Sequence, residues 1–381
     1  MTSKEFDWIG YNLQLRDKIL RQEKGENKYL LADFSDSSQR KDIEHKTKLV
    51  NDFCRVKINV KAFSDEERAK KNLDPMDFHD NNAIFKALGD EFDMPYWALN
   101  SIHKPLKDLA NTFIYQIKAC NLNCLWCYVD DHNKKPSKSN DFFSVREIMD
   151  MFAAEQKKGP LYNFRPSGGE QTIVVEQWLE VMREIEKRGL EAFVQGDTNL
   201  TNGKYIQYLE STGDIEGNTL NKIGEYANFG LLCSFKGTDT ESFLNACGLV
   251  KKENGKLVPN ERFAFLEKER WNTFRDLLEA GIDAYPFIYD PNPKTLESFM
   301  DNGAKKFGDG FYLKTWILQL KTYSPTKERL PKYGINQEDL QRRLDNNFKE
   351  SNEIMQDIVW KKFHLNYQAV ARTGIKLKVK K

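Results

Sequence analysis

The sequence has little of what marks a membrane-spanning, secreted or highly charged protein. Its 381 residues include no run of roughly eighteen apolar residues, so it offers no candidate transmembrane helix. The opening residues, MTSKEFDWIG, carry acidic side chains and lack the apolar stretch of a secretory signal. Six cysteines are too few for a disulfide scaffold, and a net charge of +1 excludes a globally basic nucleic-acid binder. These absences favour a cytoplasmic protein without membrane contact.

The sequence does contain enough apolar material for a large core. Apolar residues make up 40% of the chain and aromatic residues 12%, too many for a disordered protein. From about residue 111, short apolar runs alternate with amphipathic stretches, as βα units require. We predict strands at Thr112–Ile117, Tyr162–Arg165, Leu190–Gln195, Phe229–Phe235, Ile282–Ile288 and Tyr312–Leu320. We predict intervening helices at Val145–Gln156, Val174–Lys187, Lys204–Glu210, Glu241–Ala246, Arg262–Ala280 and Thr295–Lys305.

This alternation predicts an α/β fold with a parallel sheet. We expect a partial (β/α)6 barrel, similar to a TIM barrel, with its chemistry at the carboxyl ends of the strands. Residues 1–110 are predicted to be an N-terminal extension of unknown role, residues 111–325 the core barrel, and residues 326–381 two closing helices (336–366) and a basic tail. In the extension we predict helices at Ile19–Lys24 and Ser64–Lys71 and a strand at Cys54–Val60.

Three cysteines lie close together directly after the first predicted strand. Cys120, Cys124 and Cys127 have the spacing C-x3-C-x2-C, within the sequence ACNLNCLWCY. Three thiolates in a short loop can hold three irons of a [4Fe–4S] cluster and leave the fourth iron open to another ligand. The alternative is a structural zinc site with His132 as the fourth ligand, since His132 follows the last of these cysteines by five residues.

The cysteine spacing resembles the signature loop of radical S-adenosylmethionine (SAM) enzymes, in which an aromatic residue such as Trp126 precedes the last cysteine. The resemblance implies that Cys120, Cys124 and Cys127 bind the cluster. It also implies that SAM chelates the open iron and that Trp126 and Tyr128 lie near its adenine. In this superfamily one electron from the cluster cleaves SAM to methionine and a 5′-deoxyadenosyl radical.

A glycine-rich segment follows the second predicted strand. Ser167, Gly168, Gly169 and Glu170 stand where a ligand can approach the backbone closely. Such a segment by itself is usually a plain βα turn. Radical SAM enzymes carry a similar Gly-Gly-Glu motif at this strand end, where it binds the amino group of SAM. The order of cysteine loop, helix and Gly-Gly-Glu therefore strengthens the resemblance.

The third and fourth strand ends carry further polar candidates. Asp197, Thr198 and Asn199 resemble part of the Asp-Thr-Asn-Gly stretch that lies near SAM in activating enzymes, although these residue types also favour helix caps and turns. Ser234 and Lys236 lie in a segment that resembles the strand–Lys–helix–Gly segment of glycyl-radical activating enzymes. The resemblance implies that Lys236 contacts the SAM carboxylate or ribose; the alternative is a surface lysine.

The remaining cysteines narrow the class of enzyme. No cysteine follows Cys247, which excludes the cysteine-rich C-terminal extension of SPASM-type enzymes. No ferredoxin-like cysteine module separates the loop from the glycine segment. Cys233 and Cys247 lack further partners in sequence, so we expect no second cluster. Cys54 and Cys233 are predicted to be core residues.

We therefore expect a radical SAM enzyme with one [4Fe–4S] cluster, supplied with electrons by an external flavodoxin or ferredoxin. The substrate that the activating-enzyme resemblance favours is a macromolecule: a protein glycine, a peptide or an RNA nucleotide. Chemistry on a small biosynthetic intermediate is the alternative within the superfamily. A non-catalytic iron–sulfur or zinc protein is the alternative outside it. The basic tail Arg372–Lys381, with the segment Trp360–His364, is a weaker candidate for RNA contact.

Overall fold

A computed structural model describes residues 6–35, 37–38, 47–58, 111–136, 141–370 and 372–380. Its helices are α1 Trp8–Ile19, α2 Val145–Gln156, α3 Glu176–Arg188, α4 Gly203–Thr212, α5 Thr219–Gly224, α6 Thr240–Ala246, α7 Phe265–Glu279, α8 Pro293–Phe307, α9 Gly310–Lys314, α10 Ser324–Arg329 and α11 Gln337–Phe363. Its strands are β1 Leu20–Glu23, β2 Glu26–Leu30, β3 Thr47–Leu49, β4 Cys54–Ile58, β5 Asn111–Tyr115, β6 Phe142–Ser144, β7 Asn163–Pro166, β8 Phe193–Thr198, β9 Phe229–Lys236, β10 Val250–Glu253, β11 Lys256–Pro259, β12 Asp283–Tyr289 and β13 Trp316–Leu318. The helix predicted at Ser64–Lys71 lies outside the described residues.

One large sheet organises the molecule. Its strand order is β13-β12-β9-β8-β7-β5-β4-β3, and the six strands from β5 to β13 in this order pair in parallel. Each of these six is joined to the next through at least one helix, which confirms the predicted α/β class. Closure of the sheet into a partial barrel stays a prediction. No helix among the described residues is long and apolar enough to cross a membrane.

The N-terminal extension takes part in this sheet. Strand β4 pairs antiparallel with β5, with Cys54 opposite Tyr115, and β3 pairs with β4. The predicted strand at Cys54–Val60 is thus confirmed over residues 54–58, with its last two residues outside the described part. Because the pairing crosses residue 110, the extension and the core share one sheet.

Three predicted elements are wrong. Ile19–Lys24 is not a helix, because α1 ends at Ile19 and β1 turns into β2 through Lys24 and Gly25, both in the left-handed region. Tyr312–Leu320 is not one strand, because residues 310–314 form α9, which places Phe311 edge-on against Phe235 before β13 begins. The two helices predicted within residues 336–366 are one helix, α11 at Gln337–Phe363.

The reason for the single C-terminal helix is visible in its sequence. Asn336 caps its first turn by accepting hydrogen bonds from Glu338 and Asp339, and no glycine or proline interrupts the following 27 residues. Strand β8 also begins three residues later than predicted. Gly189, in the left-handed conformation, and Leu190 form the hydrogen bonds that close α3, so neither belongs to the strand.

Candidate functional site

The carboxyl ends of the parallel strands bring the sequence motifs to one edge of the sheet. Strand β5 leads into the segment that contains Cys120, Cys124 and Cys127, here called the cysteine loop. Strand β7 leads into Ser167–Glu170, here called the glycine turn, and β8 ends at Thr198. Strand β9 ends at Lys236 on the same edge, because all four strands run in one direction. Ligands of open parallel sheets bind outside this edge.

The glycine turn packs directly against the chain that enters the cysteine loop. The amide of Glu170 donates to the carbonyl of Ala119 at 2.8 Å, and the amide of Ile117 donates to that of Gly168 at 3.3 Å. Gly169 has a φ of +70°, and a methyl group there would collide with the carbonyl oxygens of Ile117 and Ala119. Only glycine fits this approach. The two motifs are therefore parts of one local structure.

Glu170 is buried beneath this turn and links two strand ends. Its carboxylate accepts hydrogen bonds from the Thr198 hydroxyl at 2.9 Å, from the Asn199 amide at 2.8 Å and from the Thr172 hydroxyl. Burial raises the pKa of Glu170, and the hydrogen bonds oppose that rise. Glu170 thus fixes β8 to the glycine turn in this structure. A direct contact of Glu170 with SAM stays a prediction.

Asn121, inside the cysteine loop, forms several buried side-chain hydrogen bonds and was not predicted as a site residue. Its amide nitrogen is 3.0 Å from the Asn12 side-chain oxygen, 3.1 Å from the Thr201 hydroxyl and 2.9 Å from the Asn202 side-chain oxygen. Its oxygen accepts from Asn199 at 2.7 Å. The loop is therefore tied both to α1 and to the segment after β8. The signal that could have identified Asn121 from the sequence is its position between the predicted iron ligands Cys120 and Cys124.

The three loop cysteines differ in environment. Cys124 is buried, whereas Cys120 and Cys127 are partly exposed. The Val129 amide donates to the Cys127 sulfur at 3.4 Å. Burial raises the pKa of Cys120, and a hydrogen bond from the Leu122 backbone opposes that rise. Backbone N–H groups aimed at cysteine sulfurs stabilise the thiolate form that iron requires. The donor set of the loop fits a cluster.

Cys247 lies beside the loop, which its position in the sequence did not predict. It is buried, and its thiol is hydrogen-bonded with Cys124. This hydrogen bond, followed by the charges of Lys236, Lys134 and Arg329, lowers the pKa of Cys124 to about 6 against the effect of burial.

The other two cysteines behave as predicted. Cys54 and Cys233 are buried in the main hydrophobic core, where desolvation raises their pKa values. Both are therefore inert thiols rather than ligands.

His132 gives no support to a zinc site. Its side chain is exposed on the turn after the loop. Among the described residues, no three side chains of the His, Cys, Asp and Glu types are grouped to hold one metal ion. A four-iron cluster binds each cysteine at a different iron, so it does not require the sulfurs to meet at one point.

Aromatic side chains surround the end of the loop. Trp126 is buried and stacks on Tyr289, with ring centroids 5.4 Å apart and planes inclined by 6°. The Tyr128 hydroxyl is 3.3 Å from the Ser167 hydroxyl, and burial above all raises the pKa of Tyr128 to about 12. Tyr128 is therefore neutral at physiological pH. The contact between Tyr128 and Ser167 thus joins the end of the cysteine loop to the glycine turn.

The remaining predicted residues line the neighbouring strands. Asp197 forms an ion pair with the buried Arg165, with nitrogen and oxygen 3.0 Å apart. Lys236 is buried, and its ammonium lies 5.8 Å from the ring centroid of Tyr289. Ser234 is partly exposed within β9. Arg165 and Tyr289 were not predicted, because neither belongs to a recognisable motif.

One buried side chain has unused hydrogen-bonding groups beside the glycine turn. Gln116 is fully buried against Gly168, yet neither its amide nitrogen nor its amide oxygen has a hydrogen-bond partner in the structure. Buried polar groups are rarely left in this state, because an unmade hydrogen bond costs about 1–3 kcal/mol. A bound molecule with a donor and an acceptor at the glycine turn would satisfy it. The residues present therefore fit a polar ligand such as SAM.

The comparisons with known proteins add little to this geometry. No protein-family model matches the chain, and no curated protein sequence matches it. Among solved structures, the chain is similar to one described as "Structure of TYW1 with a lysine-pyruvate adduct bound", at 11% identity. The similarity covers 84% of this chain and 87% of that chain, with a TM-score of 0.38. A TM-score this low supports no conclusion about function.

Proposed function

We propose that this protein is a radical SAM enzyme. The observation that carries the proposal is the contact between the two motifs: Glu170 N–H donates to the Ala119 carbonyl at the entrance of the cysteine loop. In a sequence, a cysteine triplet and a Gly-Gly-Glu segment fifty residues apart are only suggestive. Packed against each other at the carboxyl edge of a parallel sheet, they form one site.

Within this proposal Cys120, Cys124 and Cys127 hold a [4Fe–4S] cluster. A bound cluster supplies the electron that cleaves SAM to methionine and a 5′-deoxyadenosyl radical, which takes a hydrogen atom from the substrate. The other three cysteines, Cys54, Cys233 and Cys247, do not form a second closely spaced triplet in the sequence. An external flavodoxin or ferredoxin is therefore the proposed electron donor.

The surrounding residues would bind and orient SAM. Gly168 and Gly169 are partly exposed, and Gln116 offers an unused donor and acceptor beside Gly168. Lys236 forms no ion pair with a described residue, so its charge is available to the SAM carboxylate. Tyr128 and Trp126 provide an aromatic wall for the adenine, since burial of a large ring is favourable.

The proposed substrate is a macromolecule, namely a protein glycine, a peptide or an RNA nucleotide. The support is the resemblance of the segments around Asp197 and Lys236 to activating enzymes.

A small-molecule substrate is the second candidate, and one observation favours it. A cavity of about 330 Å³ lies between α1 and the cysteine loop, with Trp8, Tyr11 and Phe263 on one side and Cys120 on the other. This volume is at the lower end of the range for small-molecule pockets.

The decisive experiment is anaerobic. We expect the protein, reconstituted with iron and sulfide and supplied with dithionite and SAM, to form 5′-deoxyadenosine, measured by mass spectrometry. A triple variant with Cys120→Ala, Cys124→Ala and Cys127→Ala should form none. Cys54→Ala, which removes a buried core thiol of β4, is the matched control and should remain active.

Two results would reject the proposal. Zinc in place of iron, without 5′-deoxyadenosine, would identify a structural metal protein. A four-iron cluster that neither binds nor cleaves SAM would identify a non-catalytic iron–sulfur protein.

A further inference from the structure

Arg329 joins the C-terminal region to the cysteine loop, although about 200 residues separate them. It is the last residue of α10, and its side chain is fully buried. Its guanidinium donates hydrogen bonds to four backbone carbonyls of the loop and to one carboxylate. The acceptors are Cys124 O at 3.1 Å, Leu125 O at 3.2 Å, Cys127 O at 2.9 Å, Val129 O at 2.7 Å and Asp131 Oδ1 at 2.7 Å.

These contacts fix the orientation of the peptide planes around two of the predicted iron ligands. The C=O and N–H of one peptide plane point in opposite directions. Gathering the carbonyls of Cys124, Leu125 and Cys127 on one side therefore turns the following N–H groups away from Arg329. Hydrogen bonding around the ligands is one of the quantities that tune a bound cluster.

Arg329 also places a positive charge beneath the loop with only partial neutralisation. Its acidic partner, Asp131, is about one-third exposed and is shared with Lys134 and Lys332, at 3.0 and 3.1 Å. Partial burial raises the pKa of Asp131, but the hydrogen bonds and charges of Arg329 and Lys134 hold it well below its usual range. Asp131 is thus ionised at neutral pH. Around Asp131, three cations thus face one anion.

We propose that Arg329 is the positioning residue of the cysteine loop and that its charge raises the reduction potential of the bound cluster. The proposal rests on the proposed function, because it assigns a role toward the cluster. It makes the C-terminal segment part of the site rather than an appended cap. Charge near a cluster and hydrogen bonding around its ligands are two of the quantities that set its potential.

The test compares four variants by the iron bound per chain and by the midpoint potential, followed by electron paramagnetic resonance. Arg329→Met should retain iron about tenfold more weakly, as loss of an outer-shell partner does, and should lower the potential of the cluster that remains. Arg329→Lys keeps the positive charge. Compared with Arg329→Met, it should recover more of the unchanged protein's potential than of its iron retention. Asp131→Asn should raise the potential. Lys332→Met, which removes an exposed cation from the same acid, is the matched control and should change both little.

Opposite shifts in Arg329→Met and Asp131→Asn distinguish charge from general damage. Equal iron retention and an equal potential in Arg329→Met and the unchanged protein would overturn the proposal. If Arg329→Met does not fold, the potentials of Arg329→Lys and Asp131→Asn decide, and a potential unchanged in both would also overturn it.

A further measurement separates this proposal from the proposed function. Amide hydrogen exchange on the metal-free protein reports loop order without any cluster. Arg329→Lys should speed exchange at residues 124–129 and leave the central strands unchanged. Unchanged exchange there would overturn the positioning role even if SAM cleavage were found. Faster exchange in a protein that binds no iron would reject the proposed function and the effect on the potential, and would leave the positioning role of Arg329 in place.

Discussion

The glycine turn and the cysteine loop lie against each other, yet different parts of the chain hold them. In the turn, the Glu170 carboxylate accepts hydrogen bonds from neutral groups. Thr172 follows the turn directly, and Thr198 and Asn199 lie at the end of β8. The loop is supported by Asn12 from the N-terminal helix, through Asn121, and by Arg329 from the C-terminal region. The turn is therefore a product of the core, whereas the loop requires both flanking regions.

The two supporting carboxylates show the same difference in their electrostatics. Glu170 is buried among hydroxyl and amide groups, and burial raises its pKa. Asp131 is partly exposed among cations, which lower its pKa despite desolvation. Burial disfavours the charged form of an acid, and nearby cations favour it. The charge of Lys236 also acts on Glu170, but burial outweighs it. The turn thus depends on shape and hydrogen bonding, and the loop depends more on charge.

The largest expected effect comes from breaking the shape of the turn. Gly169→Val should abolish SAM binding and lower the free energy of unfolding by about 3 kcal/mol, because the side chain meets two backbone carbonyls and the φ is positive. Equilibrium dialysis with SAM and urea unfolding measure the two effects.

Gly159→Ala is the matched control for that substitution. Nothing lies within 4 Å of a methyl group at Gly159, and its backbone is not left-handed. It should bind SAM normally. Normal SAM binding by Gly169→Val would contradict the assignment of the turn to the SAM site.

Much of the core and of the site was predictable because its signals are local. Alternating apolar runs indicate strands, and the order of cysteine loop and Gly-Gly-Glu identified the residues that β5 and β7 bring together. The prediction failed where a short signal was overridden by packing, as in α9, where Phe311 packs into the core as part of a helix.

The supports of the loop were not predictable from one sequence. Arg329 and Cys247 are single residues in unremarkable segments, and only the tertiary fold brings them to Cys124. A contact across 200 residues leaves no trace in periodicity or spacing. Asn121 is different, since it lies inside the loop, but its partners at positions 12 and 202 become visible only in the structure.

An effect of intermediate size is expected on the pH dependence of the free energy of unfolding. It tests the difference between the Glu170 and Asp131 carboxylates. Because the pKa of Glu170 is raised above its ordinary value of 4.5, the native state binds its proton more tightly than the unfolded state. Stability should therefore fall as pH rises from 4.5 through the raised pKa. Glu170→Gln does not titrate, so its stability should fall less over the same range. Urea unfolding of both proteins at several pH values gives the difference in slope.

Asp131→Asn is the control for this measurement. A lowered pKa means that the contribution of Asp131 is present above its ordinary value of 3.8 and is lost only as pH falls below it. Its substitution should leave the slope above pH 4.5 unchanged. Equal slopes in the unchanged protein and Glu170→Gln would show that burial does not govern Glu170.

The smallest effect is expected for the exposed cations of the tail, and it tests whether position rather than charge gives Arg329 its importance. Lys376, Lys378 and Lys380 point outward while the alternating apolar residues pack on the core. Lys314 donates hydrogen bonds both to Asp283, at the start of β12, and to the Ile375 carbonyl, which places the tail at the amino edge of the sheet, opposite the site.

Replacing all three lysines by glutamine should leave 5′-deoxyadenosine formation unchanged and alter the free energy of unfolding by less than about 0.5 kcal/mol. Reduced formation would show that charge acts across the whole molecule. RNA retention measured on the same variant tests the predicted RNA contact, and unchanged retention would exclude these lysines from it.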